Sequence, residues 1–319
     1  MTTTLAPSLP IARLHLLVRA EAALQLPPYA GSMLRGAFGH ALLALAPLPH
    51  TDGQPCALHA TCPYCQVFAN PPLPAHSLQK FSQMPQPYVV EPPTGGAQRL
   101  QPGQTFSFGM VLIGRSLAQL PTIVLAWERA LRMGLGVQQS RCTLLAVQQE
   151  GADTPLWHAG QASAPAPLRP LPPWPAAVAL AGRATLHFDT PLRLQILGKP
   201  ARAGAELTAR TLLITLARRW QLLQDIHLGA CAPQQDFAAL TKQAQAVALY
   251  APDMHWMDWG RYSQRQQQEM KLGGLLGPLQ LQGELAPFAP LLHWGQWLHI
   301  GKNTSFGLGG YRLQVAHGQ

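Results

Sequence analysis

Hydrophobic and polar positions divide the chain into elements of two kinds. Ile11 to Arg19 (IARLHLLVR) is rich in branched and aliphatic residues and predicts a first strand. Pro27-Pro28 separates it from a stretch in which Leu34, Ala37, Phe38, Ala41, Leu42 and Leu45 recur at helical spacing. Ser32 is placed to cap that helix, and Pro47 and Pro49 end it. His40 falls at the edge of its apolar arc. Gln104 to Ile113 alternates and then runs apolar, as a core strand would. Leu117 to Met133 carries Leu120, Ile123, Val124, Trp127, Ala130 and Leu131 on one helical face, and Gly134 and Gly136 stop it. Arg141 to Gln148 predicts a further strand, and the Tyr88 to Glu91 region is assigned the remaining one. Strand, helix, two strands, helix, strand is the order of a βαββαβ unit.

The second half repeats the grammar without repeating the residues. Residues 151–180 are proline-rich (APAPLRPLPPWP) and predict a stiff, extended connection. Beyond it, Ala184, Leu186 and Phe188 alternate with polar partners, and Glu206 to Leu223 sets Ala209, Leu212, Leu213, Leu216, Trp220 and Leu223 inward on a helix. Gly273-Gly274 and Gly277-Pro278 predict a turn into Leu279-x-Leu281, and Leu291 to His299 predicts a last helix. The expected class is α+β: two tandem ferredoxin-like (RRM-like) domains at 1–150 and 181–319, with 151–180 between them and a cysteine-rich insertion near 50–70.

Composition narrows the function classes. The 319 residues suffice for two ordinary domains, and 47% are hydrophobic, so each can bury a core. Only 12% are charged, yet lysine and arginine number 23 against 14 acids, a net charge of +9 that suits a polyanionic partner. Seven basic residues against two acids between 181 and 220 make the densest positive stretch, read either as a track for a nucleic-acid backbone or as a solvated helix face. No apolar run approaches the roughly 18 residues of a membrane helix, and no charged-then-apolar leader opens the sequence. With five cysteines, an odd set, the expectation is a cytoplasmic protein with reduced thiols and no membrane partner.

Three stretches carry candidate chemistry. Cys56, His59, Cys62 and Cys65 recur every three residues. Cys62-x-x-Cys65 has the spacing of half a zinc knuckle, which Cys56 or His59 would complete as a structural site; the bland reading is four unlinked loop residues. Arg261, Tyr262 and Arg265, followed by Lys271, offer the donors and the ring that hold phosphates and stack bases. Leu298 to Leu313 (LHIGKNTSFGLGGYRL) places four glycines around Lys302, Asn303, Thr304 and Ser305. Glycines permit close backbone approach, and successive N–H groups form a concavity for phosphate. A nucleotide-hydrolase P-loop is excluded: Asn303 separates Lys302 from Thr304, the earlier glycine is missing, and a strand follows. A glycine-rich hairpin with no ligand is the competing reading.

In combination these motifs resemble a known family. Arg261-Tyr262-Ser263-x-Arg265-Gln266 with Lys271-x-Gly-Gly, and His299-x-Gly301-Lys302 with Phe306-Gly307-x-Gly309, resemble the C-terminal domain of the CRISPR-associated endoribonucleases that process precursor CRISPR RNA, members of the RAMP superfamily. Leu186 to Leu194 and Leu34 to Leu42 continue the resemblance upstream, and Arg35 in the latter is expected among the RNA contacts. It implies two ferredoxin-like domains, contact with CRISPR repeat RNA and mature crRNA, effector-complex subunits as further partners, and cleavage without a catalytic cofactor. It also implies a catalytic histidine or tyrosine near the first helix, where His40 fits, with Tyr29, His50 and His76 as alternates. His299, Lys302 and then Lys271 are the expected phosphate contacts. Two functions follow: an endoribonuclease that cleaves repeats through the RNA 2′-hydroxyl, or a relative that grips the repeat without cutting.

Overall fold

The apolar run of the first strand places it at the centre of a sheet, where both edges are paired and one face is buried in the core. In the computed structural model β1 (Ile11–Ala20) is that strand. The structure describes all residues except 1–8, 51–55, 70–75, 77, 79–83, 173–179, 181, 264–267 and 316–319, and the side chains of 259–272. Two compact units form: residues 8–171 with 226–228, and the rest of the chain.

In the first unit, β2 (Leu24–Leu26) follows β1 and leads to α1 (Gly31–Leu43). A short helix α2 (Pro63–Val67) comes next, then β3 (Tyr88–Glu91), β4 (Gln98–Leu100), β5 (Thr105–Ile113), α3 (Leu120–Met133), β6 (Cys142–Gln149) and β7 (Trp157–His158). The sheet order is β3-β5-β1-β6-β7, with β1 antiparallel to both β5 and β6. Leaving β7 aside, this is the ferredoxin-like order of a βαββαβ unit. Phe38 of α1 stacks on Trp127 of α3 at 5.0 Å, and Trp127 tilts against Phe108 of β5 at 4.6 Å, so helices and sheet close one core. The cap of α1 differs from expectation: Ala30 precedes the helix without a side-chain bond, and Ser32 lies inside it. Residues 151–171 belong to this unit rather than standing apart. β7 pairs with β6, and the Leu171 N–H donates to the Ile11 carbonyl.

The second unit repeats the plan. It runs through β8 (Arg183–Leu192), the hairpin of β9 (Gln195–Ile196) and β10 (Lys199–Pro200), α4 (Ala209–Leu228), α5 (Phe237–Gln245), β11 (Ala248–Tyr250), β12 (His255–Ser263), β13 (Gln268–Gln282), α6 (Ala289–Leu298) and β14 (Tyr311–Val315). β8 lies between β13 and β14, antiparallel to both, and β11 and β12 pair with β13. Thr208 caps α4 by accepting from the Thr211 N–H, and Asp236 caps α5. One expected turn is absent: Gly273, Gly274 and Gly277 lie inside β13. A side chain at Gly274 would meet the Leu192 carbonyl 2.8 Å away, and one at Gly273 would meet Trp256, so close approach of neighbours explains the glycines. Gly277, at φ +117°, sits at a register shift of the ladder. Among the described residues no helix is long and apolar enough to cross a membrane.

Candidate active site

The first unit presents its candidate catalyst on α1. Apolar positions at helical spacing turn Leu34, Phe38, Ala41 and Leu42 into the core, which leaves His40 exposed in the last turn. One helical turn earlier on the same face is Gly36, where an added Cβ would meet nothing within 4 Å. The imidazole therefore stands beside a shallow, side-chain-free patch of helix backbone. Gly39 is the opposite case, because the Phe68 ring fills the space where its Cβ would be. Tyr29, just before the helix, is half-buried. Burial, with the Glu91 carboxylate adding to it, pushes its phenol well above the ordinary tyrosine range. At neutral pH it is a proton donor and not a base.

Arg35, expected among the RNA contacts, has structural partners. Its guanidinium lies 3.8 Å over the Phe68 ring, and its Nε donates to the Tyr88 hydroxyl at 3.2 Å. His76 accepts the Leu78 N–H on Nδ1. His50 lies with thiols: its Nε2 is 3.2 Å from Cys65 Sγ and 3.5 Å from Cys62 Sγ. Cys56 joins them, with all four ligand atoms within 4.8 Å of one another. The histidine of this cluster is thus His50 and not the expected His59, whose side chain is exposed. Three-residue spacing pointed to the nearer histidine, but it is the imidazole of His50 that lies against the thiols.

The second unit's glycine-rich loop is shaped from within. His299 is 2% exposed, and its Nδ1 lies 3.1 Å from the Gly307 carbonyl and 3.2 Å from that of Leu308. Both partners only accept, so Nδ1 carries the proton and donates. This corrects the expectation of His299 as a phosphate contact: it is a buried brace of the loop. Thr190 of β8 adds a second brace, donating to the Gly307 carbonyl at 2.6 Å and accepting the Gly310 N–H at 2.8 Å. The glycines make room for this chain itself. A Cβ at Gly301 would meet the Arg193 carbonyl, one at Gly309 the Ile300 carbonyl, and one at Gly310 the His299 ring. The N–H groups of Ile300, Lys302, Phe306, Gly307, Gly309 and Gly310 bond within the chain. They are not free to form the concavity foreseen for phosphate.

What the loop offers outward is short. Lys302, Asn303 and Ser305 are half-exposed, while Thr304 is buried. The positive stretch divides in the same way. Arg193 donates to the Gly273 carbonyl at 2.8 Å, and Arg219 donates to the Leu298 carbonyl at 2.7 Å from a buried position that lowers its pKa to about 9. Arg183, Lys199, Arg202 and Arg210 remain exposed. Arg202 lies 5.2 Å over the Trp256 ring. Arg265 lies outside the described residues; Arg261, Tyr262 and Lys271 have backbone positions on β12 and β13, but their side chains are outside the description.

Known proteins resemble both units. A family model described as an N-terminal domain matches residues 9–168, and the model for the CRISPR-associated endoribonuclease Cas6 matches residues 186–311. No curated protein sequence matches. Among solved structures, a Cas6 product complex shares 15% identity at a TM-score of 0.59, with 95% of this chain and 100% of that chain covered. Thermus thermophilus Cas6 shares 14% at 0.53, covering 97% and 100%. A partial Cas6-RT-Cas1–Cas2 complex shares 15% at 0.57 and covers 98% of this chain. This chain spans 47% of that protein's length, and 29% of the chain in the corresponding fuller complex. At such identities the structural likeness speaks for the fold, while the two sequence matches, taken together, account for nearly the whole of both units. The second unit of this chain, over residues 186–311, belongs to the family of the CRISPR-associated endoribonuclease Cas6.

Proposed function

We propose that this chain binds CRISPR repeat RNA and cleaves it within the precursor transcript by internal attack of a 2′-hydroxyl, with His40 as the general acid or base. The observation that carries the proposal is the exposed imidazole of His40 on α1 beside the open backbone at Gly36. An imidazole can both accept and donate a proton. A base takes the 2′-hydroxyl proton, the 2′-oxygen attacks the adjacent phosphorus, and an acid protonates the departing 5′-oxygen. The products are a 2′,3′-cyclic phosphate and a 5′-hydroxyl. Every atom of that step comes from RNA and side chains, so no metal is required. Tyr29 is a second candidate for the acid, although the burial that raises its phenol makes it a weaker proton donor. Exposed Arg183, Lys199, Arg202 and Arg210 and half-exposed Lys302 on the second unit supply phosphate contacts that hold the strand.

The test uses an end-labelled repeat RNA in magnesium-free buffer with excess EDTA, and a second repeat carrying a single 2′-deoxy nucleotide at the cut site. The proposal expects cleavage of the first, none of the second, and a 2′,3′-cyclic phosphate on the upstream product. Tight binding without cleavage of either RNA would replace the enzyme with a repeat-binding subunit. Cleavage of the deoxy repeat would exclude the 2′-hydroxyl as nucleophile.

A further inference from the structure

The cluster of His50, Cys56, Cys62 and Cys65 lies on the segment between α1 and β3 and takes no part in the chemistry above. Its geometry is that of a ligand set. Tetrahedral zinc with Zn–S near 2.3 Å and Zn–N near 2.0 Å implies sulfur–nitrogen edges of about 3.5 Å. The His50 Nε2 distances to Cys65 and Cys62 are 3.2 Å and 3.5 Å. All five cysteines are free thiols, so none of the three is tied up in a disulfide.

The tautomer of His50 is fixed in the sense that a metal needs. Its Nδ1 lies 3.0 Å from the Leu48 carbonyl, which can only accept. Nδ1 therefore holds the proton, and the Nε2 lone pair faces the thiols. A backbone carbonyl on the far ring nitrogen is the usual outer-shell partner of a metal-bound histidine. The sulfurs are equally prepared. Cys62 is the residue before α2, Pro63 opens that helix, and Cys65 sits in its first turn, so the Cys-x-x-Cys pair is set by a rigid turn. Cys62 and Cys65 are buried and Cys56 is half-buried, on a segment with little apolar core of its own.

We propose that His50, Cys56, Cys62 and Cys65 bind one structural zinc ion, and that this site clamps the segment that backs α1. Zinc takes the three sulfurs as thiolates and the imidazole as a neutral ligand, releasing the thiol protons to solvent. Four protein ligands close the tetrahedron and leave no position for a reacting water. From the cluster a row of rings leads to the helix. His50 meets Tyr64 edge-on at 4.9 Å, Tyr64 stacks on Phe68 at 5.3 Å, and Phe68 fills the notch at Gly39 under the Arg35 guanidinium. His40 is the next residue. The clamp thus sets the face of α1 that the exposed histidine follows.

The experiment measures metal in the purified full chain, by elemental analysis after gel filtration in chelator, for wild type, His50→Ala, Cys62→Ser and His59→Ala. The expected result is about one zinc per chain in wild type and in His59→Ala, and a several-fold loss in the other two. Cobalt added to wild type after acid removal of zinc should give the intense visible bands of a tetrahedral thiolate site, a readout that does not depend on any variant folding. Wild type without zinc and without those bands overturns the site. So does a disulfide found between any two of the three cysteines by mass spectrometry. Zinc retained by His50→Ala and lost by His59→Ala overturns the ligand set. None of these readouts involves RNA, so they stand or fall apart from the cleavage proposal.

Discussion

The two units each carry a histidine beside glycines, but the surroundings of the two histidines differ. On α1, His40 is exposed and Gly36 faces open space. In the loop after α6, His299 is buried and Gly301, Gly309 and Gly310 are pressed against the chain's own carbonyls and ring. The first arrangement leaves an imidazole and a bare stretch of backbone available to a partner. The second spends its hydrogen bonds on holding a loop in shape. Residue type alone does not separate a reactive site from a structural one; what separates them is whether the polar atoms already have partners inside the fold.

Substitutions can break this contrast. The largest effect is expected at His40: His40→Ala should lower single-turnover cleavage by roughly 10²–10⁴-fold, the usual share of a general acid or base, with thermal unfolding unchanged. Next is His299→Ala, which removes a buried ring and leaves the Gly307 and Leu308 carbonyls without that donor. It should cost about 2–4 kcal/mol in denaturant unfolding. Cleavage by the protein that remains folded should stay near the wild-type rate. An unchanged stability would show that the ring is no brace.

The glycines of α1 sharpen the contrast within a single helix. Gly39→Ala must displace Phe68 and should lower the free energy of unfolding by about 1–3 kcal/mol through overpacking. Gly36→Ala meets no neighbour and should raise stability by up to about 1 kcal/mol through helix propensity. Any loss of repeat affinity in Gly36→Ala would then report RNA against that face. The smallest expected effect belongs to Lys302→Ala. With one half-exposed cation removed, affinity should fall a few-fold, and the slope of log affinity against log salt should shrink by about 0.7–0.9.

Most of the architecture is legible in the residue pattern. The period of Leu34, Phe38 and Ala41 marks α1, and the Ala184-Leu186-Phe188 alternation marks β8. Tyr88–Glu91 is the strand that completes the first βαββαβ set. Three features escape a linear reading for one reason, that long-range contacts decide them. His299 is buried because the loop it braces is also tied to Thr190, more than a hundred residues earlier. The glycines at 273, 274 and 277 look like a turn but accommodate Trp256, Leu192 and a bulge within a long strand. His50, and not His59, joins the cysteine cluster through contacts with Cys62 and Cys65 more than ten residues on, and no spacing rule anticipates that. The exposure of His40 follows directly from its place at the edge of the apolar arc. Its proposed role as the reacting group rests on the resemblance and on chemistry, since a lone helical histidine is more often inert.

The most direct test of the contrast is a single-turnover cleavage assay run side by side on His40→Ala and His299→Ala, each corrected for its folded fraction and saturated with the same repeat RNA. The account predicts a collapse of the rate in His40→Ala, with RNA still bound, and a near-normal rate in folded His299→Ala. A normal rate in His40→Ala, or a collapse confined to His299→Ala, would contradict it and move the chemistry to the glycine-rich loop.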